Sequence, residues 1–157
     1  MATFFIIYIS QLNHFNETVI PYPIAFGQST CESKFFLRST ERGDARHGLS
    51  EPRSEGLIFD SKFLQGTYVT SLDEFISAPG VAFPNHVKID VDGTEPDIIA
   101  GMESVMKDER LKTIMIEINA DISQGGIETT ITERGLEEVM TEQWTGKNTF
   151  NKLFVRK

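Results

Sequence analysis

A chain of 157 residues is long enough to bury a hydrophobic core, and we predict a single domain over residues 1–157. Hydrophobic residues make up 39% of the sequence and charged residues 24%, as in ordinary globular proteins. The formal net charge of −8 argues against a nucleic-acid partner, because such partners bind basic surfaces. The single cysteine, Cys31, excludes an internal disulfide and favours a cytoplasmic location.

The N-terminal region is apolar but predicts neither export nor a membrane partner. The run over 4–9 lacks a basic flank and a cleavage site, and it is too short to span a bilayer. Residues 3–14 combine β-type composition with helical spacing, and we favour a helix. Residues 19–25 predict a strand, which must lie at a sheet edge because Pro21 and Pro23 lack N–H donors.

The next third of the chain alternates short apolar runs with a polar segment. A strand is predicted over 33–37, followed by a charged loop over 39–56 that is either solvated or a substrate-facing flap. Over 68–76 the pattern indicates a strand and then a helix. Ser71 is placed to cap that helix and Glu74 to complete a capping box.

Residues 86–102 predict a buried strand, an acidic turn and a helix. Apolar and polar residues alternate over 87–91, which is the period of a strand. Thr94 is placed as the helix N-cap, with Pro96 in the first turn and Asp97 in a capping-box position. The apolar residues that follow share one helical face: Ile98, Ile99, Met102, Val105 and Met106.

The C-terminal part predicts one more buried strand, a helix and a hairpin. The strand covers 111–118 and is apolar on both faces up to its end, as in an interior parallel strand covered by helices. A helix follows over 125–134 and ends with Gly135 as its C′ residue. Two closing strands are predicted over 136–144 and 150–156, although residues 137–140 could equally extend the helix.

Carboxylates cluster where the two buried strands end. If these strands are parallel neighbours, Asp90 and Glu117 emerge at the same edge of the sheet, where ligands bind in such folds. Carboxylates there can act as a general base, orient a hydroxyl or bind a cation. Asp92 and Glu95 also serve a helix N-terminus, whereas Asp90 has no capping duty, so we favour a functional role for Asp90.

One short motif in the sequence is compatible with metal-dependent chemistry. Asp90 and Asp92 form a D-x-D pair, which is compatible with a metal-dependent glycosyltransferase. An EF-hand is excluded, because Gly93 and Gly101 occupy the wrong loop positions. The 3 histidines are scattered without ligand spacing, so we predict no zinc site and assign no metal ligands. Neither a G-x-G-x-x-G motif nor a P-loop is present in the sequence.

Three segments resemble the FkbM family of S-adenosylmethionine-dependent methyltransferases. They are V-T-S-L-D-E-F over 69–75, V-K-I-D-V-D-G-T-E over 87–95 and I-M-I-E-I over 114–118. The family has a T-L-D-E segment, a K-I-D-V-E-G-A-E turn and a strand ending in Glu and a hydrophobic residue. Asp92 and Thr94 replace the usual Glu and Ala of that turn.

The resemblance lacks one part of the family's pattern. The D-x-G-A-x-x-G loop that holds the cofactor's methionine end has no counterpart in this sequence, and neither does the strand whose acid holds the ribose. In the family's sheet order, 3-2-1-4-5-7-6, these strands lie between 19–25 and 87–91. The resemblance therefore implies an α/β fold, an incomplete Rossmann-like class I methyltransferase sheet with helices on both faces. It also implies a truncated protein or a repurposed N-terminus.

As the resemblance implies, the chain would methylate a hydroxyl of a sugar or secondary metabolite, with S-adenosylmethionine as cofactor. Asp90 would be the base or orienting group and would also lie beside the cofactor. Asp92 and Glu117 would line the site, and Ala25 and Phe26 would contact the adenine. Two rivals remain: a non-catalytic interaction module whose open sheet edge pairs with a partner or a second copy, and a metal-dependent glycosyltransferase.

Overall fold

The computed structural model describes residues 2–15, 17–41, 47–54, 56–121 and 126–157. The chain divides into two compact units. The first unit is Met1–Ala25 with Glu32–Tyr68, and the second unit is Phe26–Cys31 with Val69–Lys157. The prediction of a single domain stays a prediction. Within the described residues, no helix is long and apolar enough to cross a membrane.

The chain begins with a helix and continues as short strands. Helix α1 (Ala2–Leu12) confirms the helix predicted over 3–14. The strands that follow are β1 (Ala25–Phe26), β2 (Cys31–Leu37), β3 (Gly48–Leu49), β4 (Arg53–Ser54), β5 (Leu57–Ile58) and β6 (Phe63–Thr70). One sheet has the order β1-β6-β2-β3, and β4 and β5 form a separate pair.

The strand predicted over 19–25 is wrong over most of its length, because only Ala25 belongs to a strand. Pro21 and Pro23 have no N–H to donate to a neighbouring strand. This segment therefore precedes the outermost strand of the sheet and does not form it. The strand predicted over 33–37 is confirmed by β2.

The charged segment over 39–56 is not a continuous loop. It contains the two-residue strands β3 and β4. Residues 42–46 and 55 lie outside the described part of the chain, so the predicted flap is only partly covered. Strand β3 pairs with β2, Phe35 opposite Leu49, which gives this stretch a role in its sheet.

The second unit is built on a four-stranded sheet with the order β7-β8-β10-β9. Its strands are β7 (His86–Ile89), β8 (Thr113–Asn119), β9 (Leu136–Gln143) and β10 (Thr149–Arg156). Strand β7 runs parallel to β8, whereas β10 is antiparallel to both of its neighbours. The two closing strands and the parallel pair are thus confirmed.

Four short helices accompany this sheet: α2 (Leu72–Phe75), α3 (Glu95–Ala100), α4 (Glu103–Lys107) and α5 (Ile127–Glu133). The continuous helix implied by the face from Ile98 to Met106 is wrong, because the helix breaks at Gly101 and Met102. The Gly27 carbonyl oxygen lies 2.0 Å from where a Cβ on Gly101 would be. The chain therefore needs glycine at this close backbone approach.

The hydrophobic core of the second unit lies on one face of the sheet. Ile114, Ile116 and Ile118 of β8 are buried, while the alternate residues of that strand are only half-buried. Residues of α3, α4 and α5 belong to the same core cluster. The α/β class is confirmed, but helices on both faces of the sheet are not evident in the described residues.

Candidate functional site

The parallel register places the predicted carboxylates on adjacent strands. Ile89 of β7 is the register partner of Ile116 of β8, and each is followed by an acid, Asp90 and Glu117. Because parallel strands end at the same sheet edge, both acids emerge there. The expectation that these strands are parallel neighbours is confirmed.

Asp90 is held by a lysine that the sequence analysis did not assign to the site. The Lys88 Nζ lies 2.8 Å from the Asp90 Oδ2, and the Asp90 side chain is 51% exposed. The pKa of Lys88 is raised by its hydrogen bond and charge interaction with Asp90, and further by the charge of Glu117. The K-x-D spacing in the sequence could have indicated this contact, because residues two apart in a strand point to the same face.

Glu95 supports the turn between β7 and α3. It is only 8% exposed, and its Oε1 accepts a hydrogen bond from the Gly93 N–H at 3.3 Å. Gly93 has φ of +113°, a conformation that favours glycine. Burial raises the pKa of Glu95, and the charges of Asp92 and Glu117 raise it further. Glu95 thus serves the helix N-terminus, in agreement with the structural role expected from the sequence.

The capping box predicted around Thr94 does not form, because Thr94 makes no side-chain cap hydrogen bond. The turn is held instead by Glu95, whose Oε1 accepts the hydrogen bond from the Gly93 N–H. By contrast, the cap predicted for α2 is confirmed: the Ser71 Oγ accepts from the Glu74 N–H at 3.1 Å. The Glu74 carboxylate accepts a hydrogen bond from the Thr30 hydroxyl.

Ala25 and Phe26, the residues expected beside the adenine of S-adenosylmethionine, form strand β1. The Phe26 ring packs edge-on against Phe75, with centroids 5.4 Å apart, and against the core. Asp90 is engaged with Lys88, as described. Since the sequence also lacks the glycine-rich loop, we derive no chemical step through the cofactor.

No metal centre is found within the described residues, because no three His, Cys, Asp or Glu side chains there are arranged to hold an ion. His86 makes a hydrogen bond between its Nδ1 and the Thr113 Oγ1 at 2.8 Å. Asp90 and Asp92 therefore offer a D-x-D sequence without a third nearby ligand among these residues.

Two polar residues that the sequence analysis missed organise the helices behind the site. Asp73 accepts hydrogen bonds from the Ser104 N–H at 2.8 Å and the Val105 N–H at 2.9 Å. Helix α4 has no side-chain cap of its own, so Asp73 caps it from another helix. The available sequence signal was an acidic residue in a short helix that precedes a buried helix. That signal did not specify that Asp73 would accept hydrogen bonds from α4.

The other is Arg156, near the end of the chain. Its guanidinium donates to three backbone carbonyls: Leu111 O at 2.9 Å, Arg134 O at 3.0 Å and Met106 O. Met106 lies in α4, Leu111 lies between α4 and β8, and Arg134 follows α5. One side chain near the C-terminus therefore ties the α4–β8 region to the end of α5.

Comparisons with protein-family models, with curated proteins and with solved structures find no match to this chain.

Proposed function

We propose that the second unit carries the acceptor-side half of an O-methyltransferase of the FkbM type, acting on a hydroxyl of a sugar or secondary metabolite. The observation that carries this proposal is the parallel pairing of β7 with β8, which brings Asp90 and Glu117 to one sheet edge. In open α/β sheets that edge is where ligands bind.

The strand order supports the finer fold assignment, an incomplete Rossmann-like methyltransferase sheet. The order β7-β8-β10-β9 is the order expected for strands 4-5-7-6 of the family. The last strand inserts between its two predecessors, a connection that local sequence patterns do not require. Both the K-I-D-V-D-G-T-E turn and the I-M-I-E-I strand lie at the carboxylate-bearing edge.

The step assigned to this chain concerns the acceptor alone. The Asp90 carboxylate is half-exposed, so it can accept a hydrogen bond from an acceptor hydroxyl and then take its proton. Lys88 holds that carboxylate in place at 2.8 Å. Glu117 and Asp92 add negative charge at the same edge, which favours a hydroxylated acceptor over an anionic one.

The rival enzyme class has less support. A metal-dependent glycosyltransferase needs an ion at Asp90 and Asp92, and the described residues contain no three-ligand cluster. Activity that required manganese would favour that class. The interaction-module alternative is supported by an observation of its own, the pairing of β7 on one side only within the described residues.

The test supplies what the sequence lacks. The strand and glycine-rich-loop segment of an FkbM-type methyltransferase is fused before residue 1, and transfer of labelled methyl groups to sugars and hydroxylated metabolites is measured. We expect transfer by the fusion, and poor or no binding of S-adenosylmethionine by the 157 residues alone. Each charge-assisted hydrogen bond missing from the pocket is worth about 1.5–3 kcal/mol.

The decisive variant is Asp90→Asn in the fusion. We expect turnover to be abolished with little loss of stability, because the side chain is half-exposed. Glu109→Gln, an exposed change, is the matched control and should keep activity. A folded fusion that binds S-adenosylhomocysteine yet methylates nothing would contradict the proposed function. An Asp90→Asn variant with wild-type rates would place the base elsewhere, with Glu117 as the next candidate.

A further inference from the structure

Strand β7 is the outermost strand of its sheet. In the described part of the chain it pairs only with β8, which leaves its other edge without a strand neighbour. The N-terminal run over 4–9, which has strand-like composition, lies in helix α1. His86 and Lys88 are exposed. An exposed edge of this kind presents backbone N–H and C=O groups that recruit another strand.

We propose that β7 pairs with β7 of a second copy of this chain, antiparallel about a two-fold axis at Ile89. The segment 86–92 reads H-V-K-I-D-V-D. About Ile89, this order sets Lys88 opposite Asp90 of the second copy and Val87 opposite its Val91. His86 then faces Asp92. The pairs nearest the axis join two apolar residues (Ile89 with Ile89, Val87 with Val91) or opposite charges (Lys88 with Asp90), which is the cross-strand pattern that stabilises sheets.

Neighbouring registers lose this match. An axis at Lys88 sets two lysines opposite each other, and an axis at Asp90 sets two aspartates opposite each other. Like charges directly opposite are destabilising. A shift by one residue sets Lys88 opposite Ile89 and turns the apolar residues to the wrong face. The charge pattern thus selects one register.

The observed ion pair fits that register. Lys88 and Asp90 lie 2.8 Å apart within one strand. Adding the second copy creates a square of alternating charges, with each lysine between two aspartates. The pairing extends β7 to Val91, two residues beyond its present end. It rests on the strand edge alone and does not depend on the methyltransferase proposal.

A single pair of short strands buries little surface, so we expect a weak dimer with a dissociation constant on the order of tens of micromolar. Sedimentation equilibrium of the full chain measures it. Lys88→Glu turns two attractive cross-strand pairs into repulsive ones and should weaken the dimer about tenfold. The double variant Lys88→Glu with Asp90→Lys exchanges the charges, keeps the register and should restore dimerisation.

A single-cysteine series tests the axis itself in a Cys31→Ser background, since Cys31 is exposed. Ile89→Cys places two cysteines directly opposite each other and should form a disulfide-linked dimer. Val87→Cys is the matched control: its two copies are about 13 Å apart along the strands and should not crosslink.

Circular dichroism spectra like that of the wild type establish that each variant folds. A wild-type chain that stays monomeric at several hundred micromolar would overturn the proposal. So would a dimer unaffected by Lys88→Glu, or one in which Val87→Cys crosslinks and Ile89→Cys does not. If Ile89→Cys fails to fold because Ile89 is buried, loss and recovery in the charge-exchange series decide the question.

Discussion

Asp73 stabilises the second unit through a contact that its surroundings make easy to test. It accepts backbone hydrogen bonds from Ser104 and Val105, at the N-terminus of a helix that has no cap of its own. Asp73→Ala removes both acceptors and leaves two helix N–H groups without a protein partner. The same helix contributes Val105 and Met106 to the core, so fraying there also loosens buried side chains.

The magnitude follows from the number of bonds. Losing an N-cap costs about 0.5–2 kcal/mol, and hydrogen bonds to a charged group are worth more than neutral ones. For two bonds from one carboxylate we expect a loss of about 2–3 kcal/mol in the free energy of unfolding. Asp73→Asn keeps one acceptor oxygen and should lose about half as much.

Urea denaturation followed by far-ultraviolet circular dichroism and by fluorescence of the single tryptophan, Trp144, measures this loss. The fluorescence reports the second unit, which contains both Asp73 and Trp144. Asp60→Ala is the matched control, because that aspartate is 81% exposed and pairs with the exposed Lys62. A loss below about 0.5 kcal/mol for Asp73→Ala would refute the capping role.

Three further outcomes are expected. Burial raises the pKa of Glu95 above its ordinary value of 4.5, so the free energy of unfolding should fall as pH rises from that value through the raised pKa. Glu95→Gln, which cannot ionise, should flatten this fall in urea titrations and be the more stable protein at neutral pH. Arg156→Ala leaves three carbonyls without their donor and should cost about 2–4 kcal/mol, part of which Arg156→Lys recovers. Phe154→Ala empties a fully buried site and should lower the unfolding free energy by about 3–5 kcal/mol; a loss under about 1 kcal/mol would show that the core is not packed as described.

Local sequence patterns determined most of the second unit. Alternation predicted β7 and β8, and the Gly135 stop with the hairpin pattern predicted α5, β9 and β10. These patterns succeed because strand and helix periods come from backbone geometry, which each segment expresses by itself. The placement of Asp90 beside Glu117 at one sheet edge could also be predicted from the sequence, because it requires only that the two strands are parallel neighbours in the observed register.

Only the tertiary structure decided the features that depend on contacts between distant parts of the chain. The double-proline stretch over 19–24 forms no strand, because strand pairing needs N–H donors that the prolines do not have. The helix after Thr94 ends at Gly101, where the Gly27 carbonyl oxygen occupies the space that a side chain would need. Asp73 and Arg156 acquire their roles from carbonyls and N–H groups more than 20 residues away. Long-range contacts of this kind leave no period in the sequence, since their geometry exists only once the chain has folded.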